Sequence, residues 1–461
     1  MIYTSTREGS TIRSRWGAKA AALALAATFG LAGCSAPNTD SAVPDEDAPL
    51  TGDIVFWSGF TQGPRAEYLQ GMADKFMTEN PDVSITIETF SWPEFETKWT
   101  TGLASGQVPD VSTALPNQVV EMINVDALAP VDDVIDDIGR DRFSAAALGE
   151  GQKDDVSYSI PLYSHAQVMW YRTDLLEAAG LEVPQTWDEL KDAAIALNAP
   201  PTTYGLSVPL GTNDMMGSRY LNFYVQSEGG ALIDDSGRAD LTSPEAIEGI
   251  NYWVDMYKKT SPEGSINYNI TDQATLFYQG KTAFDFNSGF HIGGVRTNSP
   301  QLLESIAAAP LPRVKADDPI YGGETSNIPL VVWNAGDNQA ASKAFVETLY
   351  ADEDYVKFIH SVPGGMLPAL SDISEDPAYL DDETLQQFGS SVDVIEEVIP
   401  LGTAIGMENG PTVQAGIITS QGVIEQMFQD IILNGTAVKD AAKTAQDKLN
   451  QLFVTAGVTF K

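Results

Sequence analysis

Cysteine is almost missing from this chain: Cys34 is the single one in 461 residues, so no intrachain disulfide and no cysteine metal cluster can form. Histidine is scarce as well, with three dispersed residues that make a poor metal-binding set. Basic residues are few: Lys and Arg number 26 against 64 Asp and Glu, a formal charge of −38. That balance excludes nucleic acid as a partner and argues against adsorption to anionic lipid heads. The acids are scattered, as in Asp132-Asp133, Asp136-Asp137, Asp154-Asp155 and Asp234-Asp235, which is the pattern of a solvated, self-repelling surface. Catalytic signatures are lacking too. Gly280-Lys281-Thr282 resembles the end of a phosphate-binding loop, but the glycine needed five positions earlier is Thr275. There is no Gly-x-Ser-x-Gly elbow and no His-Glu-x-x-His zinc motif. A glycosidase carboxylate pair has only the acid count behind it, and solubility already explains that count. No enzyme, metal or cofactor is expected. No fixed-period repeat is visible, which argues against a surface scaffold or adhesin.

What is present begins at the amino end. Arg7, Arg13, Arg15 and Lys19 precede the apolar run Ala20–Leu31, which is about half of the ~20 residues that span a bilayer. A short apolar core behind a basic head reads as an export signal. Leu31-Ala32-Gly33-Cys34 resembles the bacterial lipobox, whose cysteine is diacylated and becomes the mature amino terminus. Residues 1–33 are then a lipoprotein signal peptide, and Cys34 anchors the chain to the extracytoplasmic face of the cell membrane without a transmembrane helix. Residues 34–50 are acidic and proline-rich, a flexible tether.

About 410 residues remain, more than one core usually supports, so two domains are expected. Asp53–Trp57 reads as a strand, and Leu69, Met72 and Phe76 mark one face of a helix. Val83, Ile85 and Ile87 alternate with polar residues as a second strand. Trp92 to Trp99 leads another helix, and Pro109-Asp110-Val111 starts a third strand. Strand–helix alternation implies a parallel sheet with ligand loops at the strands' carboxyl ends, here Trp57 to Gln62, Phe90 to Trp92 and Ala114 to Asn117. Ile160 to Tyr171 is a mainly apolar, strand-like run interrupted by Tyr163, Ser164 and His165. A helix opens at Asp174 and breaks at Gly180. Thr186 and Glu189 then have the spacing of a capping box.

Short segments in order through the mature chain carry a resemblance. They include Val55-Phe56-Trp57, Ala104-Ser105-Gly106, Pro109-Asp110-Val111, Tyr171-Arg172-Thr173-Asp174-Leu175, Pro184-Gln185-Thr186-Trp187-Asp188-Glu189-Leu190, Gly280-Lys281-Thr282-Ala283 and Gly364-Gly365-Met366-Leu367-Pro368-Ala369. Together they are similar to the bacterial family 1 extracellular solute-binding proteins, the receptors of ABC importers for sugars and oligosaccharides. The resemblance implies an α/β, two-lobed periplasmic-binding-protein-like fold (type II), with parallel-rich sheets flanked by helices. Lobe 1 would comprise 51–163 plus 325–362 and lobe 2 would comprise 167–321 plus 366–461. Hinge crossovers would fall near 163–167, 321–325 and 362–366. It also implies a monomer that captures a sugar or oligosaccharide between its lobes and delivers it to ABC permease subunits.

A pyranose offers an apolar C–H face to an aromatic ring and a rim of hydroxyls to planar polar groups. At the implied cleft the aromatic candidates are Trp92, Tyr163, Phe290 and Trp333. The polar candidates are Gln62, Asn117, His165, Asn287, Glu324 and Glu408. Local alignment puts His165 where the family often binds a hydroxyl and Phe290 where it commonly stacks a tryptophan. Phe290-His291 departs from that pattern. Trp57, Trp170 and Trp187 read as core. A polyol or glycerophosphodiester is the alternative ligand; a phosphate would want arginines, and Arg219 and Arg296 are the nearest.

Overall fold

A computed structural model of the chain describes residues 49–408 and 410–461. The export signal, Cys34 and nearly all of the tether therefore lie outside the described residues.

The described residues form twelve strands: β1 (Gly52–Ser58), β2 (Val83–Thr89), β3 (Val111–Thr113), β4 (Gln152–Lys153), β5 (Val156–Ser157), β6 (Ile160–Ala166), β7 (Val168–Arg172), β8 (Tyr204–Leu206), β9 (Thr282–Asn287), β10 (Ile306–Ala309), β11 (Thr325–Val332) and β12 (Leu367–Pro368). They form a six-stranded sheet ordered β12-β6-β11-β3-β1-β2, a four-stranded sheet ordered β10-β7-β9-β8, and the small hairpin β4-β5. The opening β1–helix–β2–helix–β3 unit is parallel, as the alternation predicts. Strands β6, β11 and β12 join it antiparallel, so the sheet is mixed. In the second sheet only β8 and β9 run parallel.

Local chemistry accounts for the elements near the crossing points. The helix Pro64–Glu79 begins with proline and buries Leu69, Met72, Ala73 and Phe76 against the first sheet. The helix Trp92–Ser105 has a capping box at Ser91 and Glu94 and ends on Gly106 at φ 71°, a left-handed position that suits glycine. The capping box at Thr186 opens the helix Trp187–Ala196.

The run Ile160–Tyr171, read from sequence as one strand, is two. Gln167 separates β6 in the first sheet from β7 in the second, and its backbone N–H donates to the Glu324 carbonyl at 2.9 Å. The return path just before β11 is thus stitched to the outgoing path. After Met366, β12 pairs with β6, and Leu370, Tyr379, Val392, Ile395 and Val398 join a core that also holds Trp170, Ile306 and Ala308 of the second sheet. The second core, around Trp187, Tyr220, Trp253 and Phe286, takes up the chain again from Ile405.

Trp170 is fully buried, and Trp187 is buried with its indole N–H donating to Ser227 Oγ at 2.7 Å. Both are structural, as their surroundings in the sequence suggest. Among the described residues no helix is long and apolar enough to cross a membrane.

Candidate functional site

A cavity of about 300 Å³ lies where the two sheets meet, and six of the ten sequence candidates line it: Trp92, Asn117, Tyr163, His165, Asn287 and Phe290. Their positions follow from the topology. Tyr163 and His165 sit two apart on β6 and so face one side of the sheet. Asn287 ends β9, and Phe290 is the first residue of the helix Phe290–Asn298. Trp92 and Asn117 stand in the first turns of helices that follow β2 and β3. Asn117 Nδ2 donates to Thr419 Oγ1, a bond that joins the helix Pro116–Asn124 to the helix Val413–Ser420 across the cavity. A larger surface hollow of about 620 Å³, beside Lys75, Glu79 and Arg142, holds none of the candidates.

Four candidates lie off the wall. Trp333 is completely buried, with its N–H donating to Ser112 Oγ at 2.9 Å and its ring 6.4 Å from that of Trp57. Glu324 is 2% exposed and is taken up by Arg219. Glu408 accepts from Gln226 Nε2 at 2.7 Å. Gln62 is exposed on the loop after β1. Arg296 is also off the wall, donating to Thr384 Oγ1 at 2.6 Å.

The sequence reading missed Arg65, Gln118, Gln167, Asp214, Tyr278, Ser288 and Thr419, all on the wall. For Gln167 a signal existed, since it lies inside the expected crossover. The others had none: Arg65 and Gln118 look like ordinary first-turn residues, and Asp214, Tyr278, Ser288 and Thr419 lie in turns or near helix ends with no pattern to mark them.

The charged groups are arranged as follows. Arg219 donates two hydrogen bonds to Glu324, at 2.5 and 2.8 Å; burial disfavours its charge, but Glu324 outweighs this and holds the guanidinium above its ordinary pKa. Asp214 spends both carboxylate oxygens on backbone N–H groups, Met215 at 2.7 Å and Ile270 at 2.8 Å. Arg65 lies over the rings of Phe60 and Phe290, 4.8 Å from each centroid, with Nη1 3.5 Å from the Tyr163 hydroxyl. Burial, with Arg219 and Arg65 adding to it, pushes His165 down to about 3, so the ring is neutral at physiological pH. The Nδ1 of His165 and the Oε1 of Gln167 are buried without a hydrogen-bond partner among the described residues. Such groups on a cavity wall are suited to a polar ligand.

A buried network stands behind Phe290. His291 Nε2 is 2.6 Å from Asp285 Oδ2, its ring stacks on Phe277 at 4.7 Å, and Gln273 Nε2 donates to Asp285 and to Tyr220 at 2.8 Å. His291 is therefore framework. Among the described residues no cluster of three or more His, Cys, Asp or Glu could hold a metal ion. The cavity offers aromatic faces, amides and one half-buried guanidinium, which is equipment for binding.

The model of the bacterial extracellular solute-binding proteins matches residues 62–356. The maltotriose-binding protein of Pyrococcus abyssi is 24% identical over 385 residues, covering 82% of this chain and 78% of the relative. The solved solute-binding protein of Agrobacterium radiobacter K84 in complex with ribitol superposes with a TM-score of 0.76 at 20% identity, over 88% of this chain and 100% of that one. That of Thermotoga lettingae bound with α-D-tagatose gives 0.75 at 20% identity, over 87% and 99%. These structures share the type II two-lobed fold with this chain. With more than half of its length matched by the family model, the chain belongs to the bacterial extracellular solute-binding proteins.

Proposed function

We propose that this chain is the receptor of an ABC importer for a sugar or polyol. The observation that carries the reading is the cavity at the sheet crossings, walled by Phe290, Trp92 and Tyr163 and edged by Asn117, Gln167 and Asn287. Rings supply the flat apolar contact and amides supply paired donors and acceptors for hydroxyls. A cavity of about 300 Å³ has room for a ligand of sugar or polyol size. Solved relatives holding tagatose and ribitol support that size, and the maltotriose-binding relative marks the larger alternative.

In this reading one lobe is built on the first sheet and the other on the second. They hinge at 163–167, at 321–325 and at 362–366, and Thr325 N–H, beside the second crossing, donates to the Thr403 carbonyl at 3.1 Å. A ligand touching both walls favours closure because it binds the closed form better. The closed form then docks on the permease. Cys34 carries the acyl chains, palmitate among them, that hold the receptor at the outer face of the membrane, and the receptor works as a monomer without catalysis.

The phosphorylated alternative loses support, since Arg219 is already neutralised by Glu324 and Arg296 is off the wall. Thermal-shift and calorimetric titration against sugars, disaccharides, polyols, amino acids and phosphate esters tests the proposal. A sugar or polyol should bind with a micromolar or lower Kd and remain chemically unchanged. Selective binding of an amino acid, or appearance of a hydrolysed product, would overturn it.

A further inference from the structure

We propose that the preferred ligand is a sugar acid, and that Arg65 receives its carboxylate. The inference rests on the sugar-receptor reading above and narrows it.

Arg65 is the second residue of the helix Pro64–Glu79, and its guanidinium is held between the rings of Phe60 and Phe290. Its one hydrogen bond, to the Tyr163 hydroxyl, is long at 3.5 Å. No acidic side chain among the described residues pairs with it, although acids outnumber bases 64 to 26 in the chain. The other charges on the wall are spent. Arg219 is matched by Glu324, Asp214 by two backbone N–H groups, and His165 is neutral. Arg65 is thus the one cation on the described wall without an acidic partner.

Two helix ends reinforce it. Asn117 and Gln118 lie in the first turn of the helix Pro116–Asn124, and Phe290 opens the helix Phe290–Asn298. Neither first turn contains an acidic residue. Asn117, Gln118 and Phe290 line the cavity, so both helices bring the positive ends of their dipoles to its wall. The low His165 pKa, to which both arginines contribute, is consistent with that positive field.

The geometry favours a carboxylate over a phosphate. A guanidinium is a flat fork that matches one carboxylate through two parallel hydrogen bonds. A dianionic phosphate would need a second unpaired cation, and Arg219 is not one. A neutral sugar would leave the fork's charge unmatched.

The test is calorimetric titration of the mature chain with hexoses, pentoses and disaccharides, each beside its uronate or aldonate and its phosphate ester. Wild type, Arg65→Lys and Arg65→Met are compared, with thermal melts of the unliganded variants as the folding control. In the wild type one acid should bind about 10- to 100-fold tighter than its neutral parent. That ratio should fall to within about threefold of unity in Arg65→Met and to an intermediate value in Arg65→Lys, which keeps the charge and loses the fork. A neutral parent that binds as tightly as its acid overturns the sugar-acid inference and leaves the receptor reading standing. So does an acid preference that survives in a folded Arg65→Met. Tighter binding of a phosphate ester overturns the carboxylate assignment. Absence of binding across all three series removes the receptor reading together with this one.

Discussion

Arg219 and Glu324 meet in a two-hydrogen-bond ion pair, at 2.5 and 2.8 Å, with side chains only 5% and 3% exposed. The pair fastens the helix Met216–Ser227 to the residue that enters β11, whose carbonyl also holds Gln167. Removing one partner strands a buried charge, which costs more than the pair itself contributes. Glu324→Gln should lower unfolding free energy by about 3–5 kcal/mol in urea titration. The double change Arg219→Met with Glu324→Leu should cost far less. Equal losses in the two variants would mean that the pair's charge is not what matters.

Phe290 contacts Arg65, Tyr163 and His165, with its ring centroid 6.4 Å from Tyr163 and 6.2 Å from His165. Phe290→Ala removes a stacking face and one side of the Arg65 clamp. Ligand affinity should drop about tenfold or more by calorimetry, the sum of one stack and one cation–π contact. Because the side chain is only half-buried, the unliganded melting temperature should move by a few degrees at most. An unchanged Kd would take Phe290 out of the site.

Glu425 is fully buried, accepts from Ser218 N–H at 2.7 Å and Ser218 Oγ at 2.9 Å, and has its other oxygen unpartnered among the described residues. Burial raises its carboxyl to about 7 from an ordinary 4.5. Between those values the folded chain holds a proton that the unfolded chain releases, so stability falls as pH rises from 4.5 to 7. Glu425→Gln keeps an acceptor for Ser218 and removes the titration. It should match wild type near pH 4 and exceed it at pH 8 in denaturant titrations. Glu150, also raised to about 7 by burial, leaves a residual slope of the same sign in the variant. A variant less stable than wild type at pH 8 would count against this account.

Cys34→Ala removes the acylated thiol expected of the lipobox-like sequence. The variant should move from the membrane fraction to the soluble fraction of expressing cells, and metabolic labelling with palmitate should be lost. Persistent membrane association would show that another feature anchors the chain.

Much of the local structure was legible because its causes lie within a few residues. Thr186 and Glu189 cap each other as their spacing implies, at 3.1 and 3.2 Å. Gly106 and Gly180 end helices in the left-handed conformation that glycine tolerates best. The candidate site was less legible. Glu324 stands next to a glycine pair and read as exposed, yet Arg219, 105 positions earlier, draws it inside. Trp333 follows three apolar residues and could have faced either way; Ser112 on the neighbouring strand settles the matter by accepting its N–H. Arg65 carried no signal, since a basic residue in a helix's first turn is common. Its meaning comes from Phe60, Tyr163 and Phe290, which reach it from three separate stretches.

The sequence by itself determined many strand and helix ends, the acidic balance and, through ordered short segments, the family. These depend on propensity, capping and composition, which act over neighbouring residues. Only the tertiary structure decided which polar side chains remain available to a ligand. Availability is what is left after each group has found its partner, and Arg219, Asp214 and Glu408 found theirs through the folded geometry. Arg65 found two rings and a hydroxyl but no acid among the described residues, and it is therefore the cation left facing the cavity.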